Sequence, residues 1–503
     1  MAARKSKAVV AVVAPKVRAF DAGKANRRLR GLTTTTAAIN VQIRSYGQTV
    51  LARSRYLAAN NAYAAAAKET FVSAMVGAGI KPSSLVESPE LKKAIQEAWL
   101  DWTDEADADG VTDLYGLQSM VAAEMFEAGE CFVRLRPRRA EDGLSVPLQL
   151  QLLPAEMLPL EDNRTLASGG RVEMGIEFDA IGRRVAYHFL RQHPGSDQMF
   201  AGGAGLKTRV PAEEVLHLYR PIRAGQTRGI PHTLSGIIVA AIMDCYDDAE
   251  LERKRTAALF GAFVTRPAIE DSDHPLEDGI QASEVTNGIA LEPGMIADLA
   301  EGEDIKFSEP ADVGGNYEAF QYRNLLRMAA GFGVPYAAMT GDLRQTSYGS
   351  IRAGLVEFRR RVESMQHHVM VFQFCRPVWQ RWMNEAVLAV DLPLSLSEYA
   401  ATPRQFTRVK WITPRWEWID PYKDRQAEKL AVDNGFKARS DVIEAEGYDP
   451  EEVDQRIAAD QAREESLGLK LGNRDQTATL PDPVEEDDEP APQPEQEDET
   501  NGA

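Results

Sequence analysis

The stretch from Leu325 to Val387 constrains this 503-residue chain more than any other. Its second half places large apolar residues at Ile351, Leu355, Phe358, Val362, Met365, Val369 and Phe372, then Trp379, Met383 and Val387. Steps of mostly three and four put these residues on one face of a long helix. Pro377 lies within it and predicts a kink, because proline removes an amide donor and crowds the preceding turn. Upstream, a shorter helix leads into Gly331-Phe332-Gly333-Val334-Pro335, and a polar, glycine-punctuated loop follows from Thr340 to Ser350. The chain runs along one helix, through a loop, and reverses into a longer helix.

The length allows roughly two to four cores. Charge is unevenly spread along it. Residues 1–31 carry nine Lys/Arg against Asp21 alone, whereas residues 481–503 carry ten Asp/Glu and no Lys/Arg. The body between them holds −17 of the formal −19. So acidic a body argues against a tight nucleic-acid clamp, which needs basic side chains on phosphates. It leaves room for a surface past which DNA slides. Cys131, Cys245 and Cys375 form no paired motif, which fits a reducing compartment and argues against a disulfide framework. No apolar run approaches the ~20 residues of a membrane span. The run Ala8–Ala14 after Arg4, Lys5 and Lys7 is short for a signal peptide, and Pro15-Lys16 follows at once, so residues 1–32 read as a basic arm.

Between Thr33 and Gly77 the chain is alanine-rich and helical, with Tyr46, Val50 and Tyr56 expected on one side. Ser88-Pro89-Glu90 starts another helix, with a serine cap, a first-turn proline and an acid at the positive end. Strands are expected at Cys131–Arg136 and Leu148–Leu152, and a hairpin over Gly175–Asp179 and Val185–Phe189. Pro231 opens a helix towards Phe260. Residues 261–315 read as a β-rich module, with strand candidates around 262–265, 288–291 and 305–307. Val409 to Asp420 reads as a tryptophan-dense strand, and Asp449-Pro450-Glu451-Glu452 as a helix start. Beyond about Asn473 the Pro/Glu/Asp-rich sequence reads as a disordered tail. The fold class is α+β and helix-rich.

Catalytic patterns are missing. Glu105, Asp107, Asp109 and Gly110 nearly spell a calcium loop, but the twelfth position is Gly116 where a bidentate glutamate belongs; a solvated helix end is the simpler reading. Gly202 to Thr208 lacks the glycine directly before Lys-Thr that a phosphate loop needs. His367 and His368 are adjacent and point apart, and His188 and His193, which could share a site, read more simply as surface histidines. His217, between Leu216 and Leu218, reads as a hydrogen-bonded strand residue. The group Trp411, Trp416 and Trp418 could stack on bases, although alternation with Glu417 favours a packed strand. No metal, cofactor or catalytic residue is nominated.

Laid out in this way, the chain from about Thr33 to Leu471 resembles the portal proteins of lambda-like tailed bacteriophages. The most specific block is His217 followed by Arg223-Ala224-Gly225-Gln226-Thr227-Arg228-Gly229-Ile230-Pro231, similar to the family's H…R.GQ.RG.P pattern. Gly333 with Pro335, and Trp416 with Asp420-Pro421, are further matches in the same order. The resemblance implies a ring of identical subunits, typically twelve, at one vertex of the phage head in the virion, assembled in the host cytoplasm. Double-stranded DNA is pumped through its axial channel by the terminase large subunit and leaves through it at infection. The implied partners are the terminase, the major capsid or scaffolding protein and a head-completion adaptor, with no membrane. It also implies a portal fold, with residues 33–230 as wing, 231–257 as first stem helix, 258–315 as clip and 316–332 as second stem helix. Residues 333–350 would hold the tunnel loop, 351–419 the kinked wing helix and strand, 420–470 the crown, and 471–503 the acidic tail. Asp342, Arg344, Gln345, Thr346, Ser347 and Tyr348 would face DNA with mixed charge and hydrogen bonding, which suits weak contact with a sliding backbone. The rivals are an enzyme of DNA packaging, a nuclease or ATPase, and an acidic-tailed adaptor or scaffold.

Overall fold

A computed structural model describes residues 35–196, 206–258, 262–265, 304–307, 316–344, 348–414, 416 and 421–468. The chain begins with α1 (Ile39–Asn60) and α2 (Ala62–Met75). Asn61 separates them by capping α2, its side chain accepting from the Ala64 amide. The inward face of α1 holds Ile43, Ser54, Leu57 and Ala58, while Tyr46 and Tyr56 are each 69% exposed. The side that carries Tyr46 and Tyr56 therefore points outward.

After β1 (Lys81–Ser84) come α3 (Pro89–Thr103), capped by Ser88 as expected, and α4 (Leu114–Glu127). The calcium-like segment between them is closed on itself. Asp107, only 5% exposed, accepts from the amides of Asp109, Val111 and Thr112. It is a buried local cap, not the expected solvated end.

Two antiparallel sheets follow. One orders β2 (Glu130–Pro137), β3 (Leu148–Leu153) and β9 (Val215–Tyr219) as β3-β2-β9. The other runs β4 (Arg164–Thr165), β5 (Arg171–Glu173), β6 (Ile176–Phe178), β7 (Arg184–Leu190), β8 (Lys207–Pro211) in sequence order. A small core between them contains Phe132, Leu158, Ile176, Phe178, Tyr187 and Phe189. The expected strands at 131–136 and 148–152 and the 175–189 hairpin are all present.

A 3-10 turn (His232–Ser235) follows Pro231, so the next helix, α5 (Ile237–Ala258), starts later than the sequence suggested. Strands β10 (Ala262–Thr265) and β11 (Asp304–Phe307) pair antiparallel, as two of the three strand candidates required; the third, 288–291, lies outside the described residues. Helix α6 (Asn316–Phe332) returns along α5. Ser235 at the start of α5 donates to the Gly331 carbonyl at 2.7 Å, while Tyr317 near the start of α6 donates to Asp247 at 3.1 Å. One helix's start meets the other's end, so the pair is antiparallel. Gly333 then turns the chain with φ of +69°, a conformation that favours glycine.

Helix α7 (Tyr336–Thr340) precedes a loop that ends at α8 (Tyr348–Met365), shorter than the expected Thr340–Ser350. The long helix is continuous through a π-helical segment (Gln366–Cys375) into α9 (Arg376–Ala389). The disturbance lies ahead of Pro377, where wide turns with i→i+5 bonds absorb the proline's missing donor. Each wide turn holds an extra residue, so the inward face drifts. Phe372, expected inside, is 61% exposed, and Val371, Phe374 and Cys375 are buried instead. Two glutamines use the altered geometry. The Gln366 amide donates to the Ala74 and Met75 carbonyls at the end of α2. Gln373 accepts from the Tyr219 amide at 2.9 Å and donates to the Tyr219 carbonyl at 3.1 Å.

The main core joins α2, α3, α4 and the long helix around Trp99, Trp102, Trp379 and Trp382, all at most 1% exposed. After α10 (Leu396–Ala401) and α11 (Pro403–Phe406), β12 (Val409–Ile412) pairs with β1. The strand stops at Ile412, well short of the expected Asp420. Helix α12 (Pro421–Asp433) leads to a second compact unit from Glu428 onward, with α13 (Arg439–Ala445) and α14 (Pro450–Leu467), the latter capped by Asp449 as anticipated.

Because Gln373 alone pairs both backbone groups of Tyr219 on that side of β9, Gln373→Ala leaves a donor and an acceptor unmet. It should cost about 1–3 kcal/mol, read as a lower urea midpoint with unchanged far-ultraviolet dichroism.

Candidate functional site

The pattern from His217 to Pro231 folds into a buried ionic knot. Glu130 begins β2 directly opposite Tyr219 of β9, two register steps from His217 and so on the same face, and the two strands bring an acid and an imidazole together. Its carboxylate sits 2.6 Å from the Arg228 guanidinium, with Arg228 1% and Glu130 4% exposed. His217 Nε2 lies 3.0 Å from Glu130 Oε2. An ionised carboxylate only accepts, so this nitrogen carries the proton. The Gly229 amide donates to the same oxygen at 2.6 Å.

The remaining guanidinium protons go to backbone carbonyls. Arg228 Nη1 donates to Leu158 at 3.0 Å and Met174 at 2.8 Å. Met174 has φ of +48° and is the only non-glycine residue with positive φ among the described residues. Its strained turn aims that carbonyl at the arginine. Below the knot Phe132 stacks on His217 at 4.4 Å and lies under the Arg228 guanidinium.

The other pattern residues have distinct places. Gln226 accepts from the Ile222 amide and donates to the Arg228 carbonyl at 2.7 Å, closing the loop on itself. Gly229 must be glycine: a Cβ there would lie 2.3 Å from the Gly129 carbonyl oxygen. Pro231 is buried where the chain enters the 3-10 turn. Arg223 is exposed and takes no part in the knot. The knot is also tied to α1, since Asn40 accepts from the Thr227 amide and donates to the Gly225 carbonyl. Glu130, which completes the ion pair, was not singled out by sequence reasoning. Its only signal was an acid at the head of an otherwise apolar strand.

Elsewhere the expected residues are dispersed. Trp416 is half-buried, with Arg359 over its ring and Phe358 at its edge, so it packs against the long helix. Trp411 packs edge-on against Trp379. Trp418, Asp420, Gln345, Thr346 and Ser347 lie outside the described residues, and Tyr348 and Pro421 are the first residues of α8 and α12. Gly333 lies beside the half-buried His232, and Pro335 precedes the first turn of α7. His188 is not a surface residue: it is 8% exposed and bonds Glu177 at 2.9 Å, whereas His193 receives the Gly195 amide. The two share no site. Among the described residues no group of three or more His, Cys, Asp or Glu could hold a metal. No described helix is long and apolar enough to cross a membrane.

In the loop before α8, Asp342 and Arg344 face each other. Arg344 Nε lies 3.0 Å from Asp342 Oδ1 and Nη2 lies 3.2 Å from Oδ2, while Tyr336 donates its phenol to Asp342 at 3.1 Å. These hydrogen bonds, from Arg344 above all, hold the Asp342 carboxyl at about 2.

Burial alone would raise the Glu130 pKa, but the Arg228 charge and the bonds from His217 and Arg228 outweigh it and leave it at about 2. Burial is the largest influence on His217 and takes it down to about 4, against the pull of Glu130; burial does the same to His232. Both kinds of shift leave the unfolded chain with more bound protons, so both stabilise the fold at neutral pH and lose that contribution in acid. The histidine part is lost as pH falls from about 6.5 to about 4, and the Glu130 part from about 4.5 to about 2. Urea midpoints should therefore decline below pH 6.5, and His217→Gln should flatten the upper part of that decline, with His232 supplying what remains. Arg228→Ala leaves a buried carboxylate unpaired and should cost roughly 3–5 kcal/mol at neutral pH, measured by the same unfolding curves.

With this geometry established, the chain can be set beside known proteins. Residues 25–366 match the model of the lambda family of phage portal proteins. The probable portal protein of Halomonas phage phiHAP-1 is 27% identical over 421 residues, covering 80% of this chain and 77% of that protein. Portal protein B of Escherichia phage lambda is 21% identical over 280 residues, 51% of each chain. Among solved structures, a chain from the neck of a native gene transfer agent particle is 14% identical, covering 79% of this chain and 94% of that one, with a TM-score of 0.44.

Proposed function

The chain belongs to the lambda family of phage portal proteins, a structural and not a catalytic family, and we propose that it assembles into a ring of about twelve copies whose axial channel carries double-stranded DNA into and out of a phage head. The observation that carries this reading is the antiparallel pair of α5 and α6, along which the chain leaves the body at Ser235 and comes back at Gly331. This pair makes the stem, residues 258–315 the clip at its far end, and the loop between α7 and α8 the tunnel loop. Residues 33–230 form most of the wing and 420–470 the crown. The clip docks the terminase large subunit and later the head-completion adaptor, and the capsid or scaffolding protein meets the ring from outside.

Helix α5 supports the ring. Ile238 and Ile242 are 71% and 61% exposed, and Cys245 and Ala249 continue the exposed row at steps of three and four. Apolar side chains in such a row gain from contact with a neighbouring copy. The acidic body suits the conduit, because a lining rich in Lys/Arg would bind phosphates and stall movement.

Electron microscopy of the purified chain, with its mass in solution, tests the reading. Rings with an axial hole and a mass near twelve times 55.5 kDa are expected; a chain that stays monomeric even with its scaffold present would overturn it. Ile242→Asp should keep the far-ultraviolet spectrum and tryptophan emission of the wild type and yet shift the protein to smaller species. Replacing residues 344–348 with glycine should leave rings intact while lowering packaged or retained DNA in a packaging assay.

A further inference from the structure

The polar loop that follows α7 contains one cation and one carboxylate between Thr340 and Ser350, Arg344 and Asp342. They form a two-pronged pair at 3.0 and 3.2 Å, and Asp342 also accepts from the Arg344 amide at 3.1 Å. A planar fork matched to a carboxylate is the strong arrangement for arginine, and it occupies the edge with which arginine would otherwise grip a phosphate. Asp342 is itself fixed. The Tyr336 phenol donates to it, and the Tyr336 ring packs edge-on against Tyr322 of α6 at 5.1 Å. Thr340 receives the Asp342 amide through its hydroxyl. On the outer side Glu318 of α6 lies 3.4 Å from Arg344 Nη1.

We propose that Asp342, with Glu318, is a charge clamp that occupies Arg344 and so keeps the loop from gripping passing DNA phosphates. The inference rests on the reading of this loop as the one nearest DNA. Two carboxylates face one guanidinium, so each subunit presents a net negative set that disfavours phosphate. Tyr336 and Tyr322 make Asp342 a positioning residue: it acts on DNA through Arg344 and without touching it.

Full-length rings, a fluorescent short duplex and anisotropy from 50 to 200 mM salt test the proposal. Wild-type rings should bind weakly. The double variant D342N/E318Q keeps the shapes and removes both negative charges, which frees Arg344. Its affinity should rise, and its salt dependence should steepen by ~0.9 in log K against log salt for each phosphate newly contacted. Adding R344A to that variant should cancel the gain, and D342E should behave as the wild type, which a merely structural role for Asp342 would not require. If D342N/E318Q leaves affinity and slope unchanged while R344A alone lowers both, Arg344 already meets phosphate in the wild type and the clamp is refuted. If no variant, R344A included, alters DNA binding or packaging, the loop does not meet DNA, and the placement of the tunnel loop falls together with the clamp.

Discussion

The buried pair of Arg228 and Glu130 is the constraint on which the body depends. Two opposite charges removed from water lose hydration that only close pairing and further hydrogen bonds can offset. Here the offset recruits the start of β2, His217 on β9, the amide of Gly229 and carbonyls from two other segments. A purely apolar contact could slide among these pieces. An ion pair with this many directional partners admits one arrangement, and it lies three residues before Pro231, where the chain turns towards α5. The knot thus fixes the direction in which the chain leaves the sheets towards α5.

A different logic governs the loop before α8. Its ion pair is exposed, and exposed pairs add little to stability because water and salt screen them. What it changes is availability: a guanidinium engaged by a carboxylate is not presented to a phosphate. The molecule therefore uses similar chemistry twice, once buried to define a structure and once at the surface to withhold a charge.

Much of the architecture was legible from local rules. Strict alternation at Leu148–Leu152, the Ser88 and Asp449 caps and the strong helical spacing after Tyr348 depend on neighbours in sequence, and each appears where expected. The His217-to-Pro231 pattern pointed to the right segment but not to Glu130, because the partner comes from almost a hundred residues away and an isolated acid carries no spacing signal. Periodicity also failed across Gln366–Cys375. A 3.6-residue rule cannot register a run of wider turns, so Phe372 was expected inside and Val371 and Phe374 were missed. Likewise the spacing of Tyr46 and Tyr56 put them on one side of α1 without saying whether that side is inside, and it is the opposite face, with Ile43, Ser54, Leu57 and Ala58, that is buried.

The bond from Ser235 to the Gly331 carbonyl clamps together the two points where the α5–α6 pair joins the body. Everything between them is topologically one excursion with its ends already held. The entropy of closing a flexible excursion grows only with the logarithm of its length, about 0.6 kcal/mol for each doubling. Changes in the size of the segment beyond α5 are therefore nearly invisible to the folding of the sheets and the tryptophan core. The length of that part of the chain can therefore vary while the body keeps its own sequence requirements.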